Sequence, residues 1–190
     1  MTLHKTIQEH IQAIQQLEEV CGDDIRQAAD LCQDALEGGN KLFFCGNGGS
    51  AADCQHLAAE LVVRFTRERQ GLSAIALTTD TSILTACGND YGYERVFARQ
   101  VQALGKMGDV LFAFSTSGNS DNVLAAVREA HEQGMFTIGF TGGDGGELAE
   151  LCEICINVPT DVTARIQECH ILLGHWLCDE LERRCGDVSA

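Results

Sequence analysis

Residues 41–65 read KLFFCGNGGSAADCQHLAAELVVRF. Lys41–Cys45 is a short, mostly apolar run of strand type. Gly46-Asn47-Gly48-Gly49 then breaks it, and Ser50 opens a helix predicted to run to about Phe65. A strand that turns through glycines directly into a helix is the first half of a βαβ unit. The rest of the chain repeats the alternation. Ser73–Leu77, Val110–Phe114, Thr137–Thr141 and Ile154–Val158 are further strand candidates. A short helix follows Ser73–Leu77, another runs through Gln133, a short one follows the glycine-rich loop at 142–146, and a long one spans about Thr163 to Arg184. Five apolar strands alternating with helices predict a parallel sheet covered on both faces, a three-layer doubly wound α/β domain. Upstream, Leu3, Ile7, Ile11, Ile14 and Leu17 recur at helical spacing, as do Ile25, Ala28, Ala29, Leu31, Cys32 and Leu36 before Gly38-Gly39. This segment is read as two helices. The chain is therefore read as one domain, 1–190, with a helical segment at 1–39 and an α/β core at 40–190.

Composition narrows the function. The formal charge of −15 repels nucleic-acid phosphates, so no direct nucleic-acid partner is expected. It also means that any phosphate site must be built locally from amides, hydroxyls and helix ends. No apolar run reaches the length of a membrane span, and residues 1–15 lack a signal-peptide core, so a cytoplasmic protein is expected. Ten cysteines invite a disulfide or zinc reading. Cys32, Cys45, Cys54, Cys87, Cys169 and Cys178 fall in apolar or helical stretches, and Cys152-x-x-Cys155 has no second pair at zinc-site spacing. Buried, reduced thiols are expected, with a redox role for Cys152 and Cys155 left as the alternative.

Ligands of doubly wound folds bind at the carboxyl ends of the strands. The loop after the third strand is Ser115-Thr116-Ser117-Gly118-Asn119-Ser120, four hydroxyls at a predicted helix start. Hydroxyls, unpaired amides and the helix dipole together favour a phosphate, each charged hydrogen bond contributing roughly 1.5–3 kcal/mol. A helix N-cap would account for one serine, not for four hydroxyls. Gly46–Ser50 is a second close-approach turn, with neither the dinucleotide fingerprint nor a P-loop lysine, so no nucleotide cofactor is expected. Gly142–Gly146, which includes Asp144, reads as a structural turn.

His56, Glu60 and Arg64 stand at i, i+4 and i+8, one stripe on an otherwise apolar helix. The spacing fits a solvent-facing ion-pair series as well as a reactive site. The last helix carries Arg165, Gln167, His170 and His175 among Ile166, Leu172, Leu173, Trp176 and Leu177. His175 is a core histidine or a desolvated acid–base group. A phosphosugar isomerase needs a phosphate anchor and groups that move two protons, and this inventory is present.

The strings CGNGGSAADCQHLAAEL at 45–61, GNDYG at 88–92, STSGNS at 115–120, TGGDGG at 141–146 and ARIQECHILLGHWLCD at 164–179 resemble the sugar-isomerase (SIS) domain family, and within it the phosphoheptose isomerases of bacterial lipopolysaccharide synthesis. The resemblance covers nearly the whole chain. It implies a flavodoxin-like sheet, a homotetramer with sites at subunit interfaces, and interconversion of sedoheptulose 7-phosphate with D-glycero-D-manno-heptose 7-phosphate. By motif it makes Glu60 the general base and His175 its acid–base partner. Asn47, Gly48 and Gly49, with Ser50 opening the helix, become substrate contacts together with Ser115, Thr116, Ser117 and Ser120. Asn89, Asp90 and Gln167 become sugar contacts. It also implies zinc held by His56, Glu60, Gln167 and His175, a role that would compromise Glu60 as a base. The expected arrangement sets Glu60 against His175 across a pocket floored by the serines. A regulatory branch of the same family binds the initiator DnaA and typically lacks the carboxylate and the late histidine. Both are present here, and a DnaA-binding regulator is the alternative.

Overall fold

The computed structural model describes residues 2–185. Five parallel strands form one sheet in the order β2-β1-β3-β4-β5, with β1 Leu42–Gly46, β2 Ala74–Ala76, β3 Val110–Phe114, β4 Phe136–Gly142 and β5 Ile154–Val158. This is the flavodoxin-like order, in which the chain reverses direction between β1 and β3 and opens a crevice there. Strands β1 and β3 are buried along their full length, as strands covered on both faces must be.

Alternation along the strands divides the core. Leu42 and Phe44 of β1, Phe112 and Phe114 of β3 and Phe140 of β4 face α1 (Leu3–Glu37), α2 (Gly49–Val62) and α7 (Thr163–Cys185). Phe43, Cys45, Leu111 and Ala113 face the opposite layer, which includes α4 (Ala98–Leu104), α5 (Asp121–Glu132) and Leu148 of α6 (Gly146–Leu151). Asp80 caps α3 (Thr81–Tyr91) by accepting the Ile83 amide at 2.9 Å.

The N-terminal segment is one 35-residue helix, not two. Gly22-Asp23-Asp24 looks like a break, yet a glycine inside a helix costs only about 1 kcal/mol. Cys21 and Ile25 on either side are buried against β5 and α7 in the same core as Leu17 and Ala28, and that burial outweighs it. Helix α1 therefore packs as part of the α/β core. Helix α4 was not foreseen, because seven residues give too little periodicity to read. All ten cysteines are free thiols, and seven are buried. Burial pushes Cys21, Cys152 and Cys178 up to about 12 and Cys155 to about 11, so none of these four is poised as a nucleophile.

His170 sits in the core, edge-on to the Phe114 and Phe140 rings at 5.7 and 5.5 Å. Its Nε2 pairs with the Thr141 carbonyl at 3.0 Å, and Nδ1 has no partner. Burial pushes this imidazole down to about 4. An unfolded chain takes up the proton near pH 6.5, whereas the native one holds out to about pH 4, so stability falls with pH across that window. The expected total loss is about 3 kcal/mol. Urea midpoints measured from pH 7.5 to 4.5 should decline less steeply in His170→Gln than in the wild type; parallel curves would contradict this account.

Candidate active site

Two helices running side by side in the same direction, α2 and α7, carry Gly49, Ser50, His56 and Glu60 on the first and Gln167 and His175 on the second. At their starts, Gly49 lies against Gln167, where a Cβ would come within 2.7 Å of Nε2. A turn or two further, Gly174 gives way to Leu57, whose Cδ1 would stand 2.7 Å from an added Cβ. Beside it the two imidazoles meet: His56 Nε2 and His175 Nε2 are 2.8 Å apart, with the rings crossing at 71°. His56 Nε2 is also 3.5 Å from Glu60 Oε1. The stripe on α2 faces solvent in part, with the His56 side chain 48% and that of Arg64 53% exposed, but it also reaches a second helix. His56 bridges the carboxylate of α2 to the imidazole of α7.

Burial lowers the pKa of His175, and the neighbouring His56 lowers it further, while Glu60 works against both. His175 is therefore neutral at pH 7 and free to accept or pass on a proton. Phe65 covers it, ring centroids 5.5 Å apart and 30° from parallel. Asp53, one turn before His56 on the same face, was missed in the sequence although its i, i+3 spacing to His56 was visible. Burial raises its carboxyl pKa against the opposing pull of His56, and Oδ2 has no hydrogen-bond partner.

The cradle after β3 forms at the other end of α2. Ser115 is buried, and its Oγ pairs with Ser120 Oγ at 2.9 Å. Ser120 occupies the N-cap position of α5, yet its side chain makes no capping bond. Ser117 Oγ accepts the Asn119 amide at 3.2 Å. The glycine-rich turn at 142–146 braces this loop. The Leu148 amide donates to the Gly118 carbonyl at 2.9 Å, and the Glu147 amide donates to Asn119 Oδ1 at 3.0 Å.

Asn47 is tied across the crevice by a reciprocal amide pair. Its Nδ2 donates to Asn122 Oδ1 and its Oδ1 accepts from Asn122 Nδ2, both at 2.8 Å. The Tyr93 hydroxyl donates to the same Oδ1 at 3.4 Å. Neither partner was read from the sequence, since no local pattern joins position 47 to 93 or 122. Gly48 turns the chain with φ +58°, a conformation suited to glycine, and Ser50 is buried behind it. Asn89 and Asp90 lie exposed in the last turn of α3, where Asn89 Nδ2 donates to Asp90 Oδ1 at 2.7 Å.

One expected juxtaposition does not occur within the chain. At 1.5 Å per residue, Glu60 stands about 16 Å along α2 from Gly49 and the adjoining cradle. Likewise Gln167 lies about 12 Å along α7 from His175. The phosphate cradle with Gln167, and the Glu60–His56–His175 group, therefore occupy opposite ends of one helix pair. The donor types around His56 suit zinc. Among the described residues, however, no three His, Cys, Asp or Glu side chains converge as a metal-binding group.

Residues 7–142 match the SIS domain family. The chain is 56% identical over 160 residues to a phosphoheptose isomerase of Akkermansia muciniphila, covering 84% of this chain and 85% of the relative. It is 49% identical over 180 residues to one of Paramagnetospirillum magneticum, covering 95% and 94%. Among solved structures, a phosphoheptose isomerase from Francisella tularensis superposes with a TM-score of 0.93 at 42% identity, and one from Neisseria gonorrhoeae with 0.90 at 49%. Each alignment covers 96% of this chain and 100% of the other.

Proposed function

Because this chain belongs to the SIS domain family, and within it stands with the phosphoheptose isomerases, we infer that it interconverts sedoheptulose 7-phosphate and D-glycero-D-manno-heptose 7-phosphate. The observation that carries the residue assignment is the meeting of a carboxylate and a neutral imidazole from two helices around His56. Glu60 takes the proton from the carbon beside the carbonyl. His175 supplies a proton to the carbonyl oxygen, and the enediol collapses with the two roles exchanged. The hydroxyls of Ser115, Thr116, Ser117 and Ser120 and the start of α5 hold the phosphate. Asn47, Gly48, Gly49, Ser50, Asn89, Asp90 and Gln167 contact the sugar.

The separation along α2 supports a site shared between subunits, with the cradle of one copy facing Glu60 and His175 of another. The apolar surface fits such an assembly. Leu3, Ile7, Ile11 and Val20 of α1 and Leu172 and Trp176 of α7 are all at least 39% exposed. A homotetramer is the assembly we propose. To hold zinc, His56, Glu60 and His175 would have to turn toward one point and be joined by Gln167 from a facing copy; when bound, the ion would polarise a sugar oxygen. We place the reaction in the cytoplasm, as the first step toward ADP-heptose for lipopolysaccharide. No helix among the described residues is long and apolar enough to cross a membrane. Retention of Glu60 and His175 favours catalysis over the DnaA-binding alternative. The test is isomerisation of sedoheptulose 7-phosphate by the purified protein, with and without zinc. Absence of product in both would refute the reading.

A further inference from the structure

Glu182 lies seven residues beyond His175, on the same face of α7, with its side chain fully buried. Its carboxylate gathers the segment that leaves α2. The Phe65 amide donates to Oε1 at 2.9 Å, and the Thr66 and Arg67 amides donate to Oε2 at 2.7 Å each. The Thr66 hydroxyl adds a fourth bond at 3.0 Å. Burial would raise this carboxyl, but the three amides outweigh it and hold it at about 2, so it is ionised throughout the working pH range.

Arg69, only 1% exposed, completes the unit. Its Nε stands 3.2 Å from Glu182 Oε1, a charge contact rather than an aligned hydrogen bond. Its Nη2 donates to the Glu60 carbonyl at 2.9 Å, and its Nη1 donates to the Leu61 carbonyl at 2.8 Å and the Gln70 carbonyl at 3.0 Å. One carboxylate thus fastens the segment to α7, and one guanidinium fastens it to the last turn of α2. These are the helices that carry His175 and Glu60. Between the two anchors, Phe65 lies on the His175 ring.

Capping the end of α2 does not by itself call for this arrangement. Exposed carbonyls at a helix end are satisfied by water or a glycine turn. A buried ion pair carries a desolvation cost that hydrophobic packing avoids. What the pair adds is a fixed link between two helices whose relative placement decides whether a carboxylate and an imidazole can act on one sugar.

We propose that Glu182 and Arg69 are positioning residues for the isomerase reaction, locking residues 63–70 so that Glu60 and His175 keep their separation and Phe65 fixes the imidazole plane. The proposal rests on the assignment of Glu60 and His175 above. A displacement of about 1 Å at reacting groups can cost up to 10²-fold in rate.

The experiment compares full-length wild type, Glu182→Gln, Arg69→Lys, Phe65→Leu and Phe65→Tyr on sedoheptulose 7-phosphate, well below each melting temperature, with Glu60→Gln alongside. The first three substitutions are expected to lower kcat by about 10–100-fold. KM should stay within about threefold, because the serine cradle is untouched. Phe65→Tyr, which keeps the ring, should regain most of kcat. Should Glu182→Gln fail to fold, Arg69→Lys and the two Phe65 variants decide the matter. Folded variants that lose only melting temperature and keep kcat within twofold of wild type would overturn the proposal, as would a rise in KM matching the fall in kcat/KM. A wild type without activity, or a fully active Glu60→Gln, would instead overturn the underlying assignment.

Discussion

Glu60→Gln is expected to lower isomerase kcat by about 10²–10⁴-fold while the protein still binds its phosphosugar. The amide has the carboxylate's shape, so packing on α2 is kept, and Glu60 makes no buried ion pair whose loss would unfold the chain. The amide cannot accept a proton from carbon at neutral pH, so the enediol does not form. Binding survives because the phosphate is held by the hydroxyls of Ser115, Thr116, Ser117 and Ser120 and by the start of α5, none of which the substitution changes. Steady-state kinetics and calorimetric titration with sedoheptulose 7-phosphate separate the two effects. Retained kcat would remove Glu60 from the chemistry, and lost affinity would make it a binding group instead.

The same variant reports on the shared site. A Ser115→Ala/Ser120→Ala double variant should be inactive for want of a phosphate anchor. Refolded together with Glu60→Gln, it should yield active mixed assemblies, since an intact cradle on one chain then meets an intact Glu60 on another. If mixing never restores activity, each chain works with its own cradle and the proposed sharing fails.

Gly118→Ala should damage the protein by a different route. Gly118 has φ +67°, and a Cβ there would lie 1.9 Å from the Gly145 carbonyl oxygen and 2.6 Å from its carbon. The three nearest atoms are all backbone, so no swing of a side chain relieves the overlap. The turn at 142–146 would have to part from the cradle, breaking the bonds from Leu148 and Glu147 that brace it. The left-handed conformation alone costs about 1–2 kcal/mol for alanine. With the overlap added, a loss above about 3 kcal/mol is expected. A useful comparison is Gly143→Ala, where φ is +63° but nothing lies within 4 Å of the added carbon. That variant should lose only the conformational part. Urea midpoints measure both, and KM for the phosphosugar should rise more than tenfold in whatever Gly118→Ala remains folded. Equal behaviour of the two alanine variants would show that the loop yields where it looks closed.

Much of the fold could be read in advance because the sheet is fully parallel. Val110–Phe114 and Ile154–Val158 are strands over the predicted residues. Apolar runs bounded by polar turns leave little choice of ends. Reading failed where local and tertiary preferences disagree: Gly22 marks a break that packing against β5 and α7 overrides. The candidate site divides in the same way. The hydroxyl loop and the His56–Glu60 stripe lie in contiguous sequence and were visible. Asp53 was within reach of the same stripe argument. Asn122, Tyr93, Phe65 and Glu182 were not, because each matters through a partner more than 40 residues away or through a loop with no periodicity.

By itself the sequence determined the alternating architecture, the hydroxyl-lined helix start and the presence of one carboxylate and one late imidazole. These follow from chain-local periodicity and from which groups can donate or accept. Only the tertiary structure decided that α2 and α7 run side by side in register, so that His175 meets His56 while Gln167 meets Gly49. It also decided that the acid–base group and the phosphate cradle stand at opposite ends of that pair. The reason is that register between two helices is fixed by how their side chains interlock, as Gly174 does against Leu57, and no spacing within either helix encodes it.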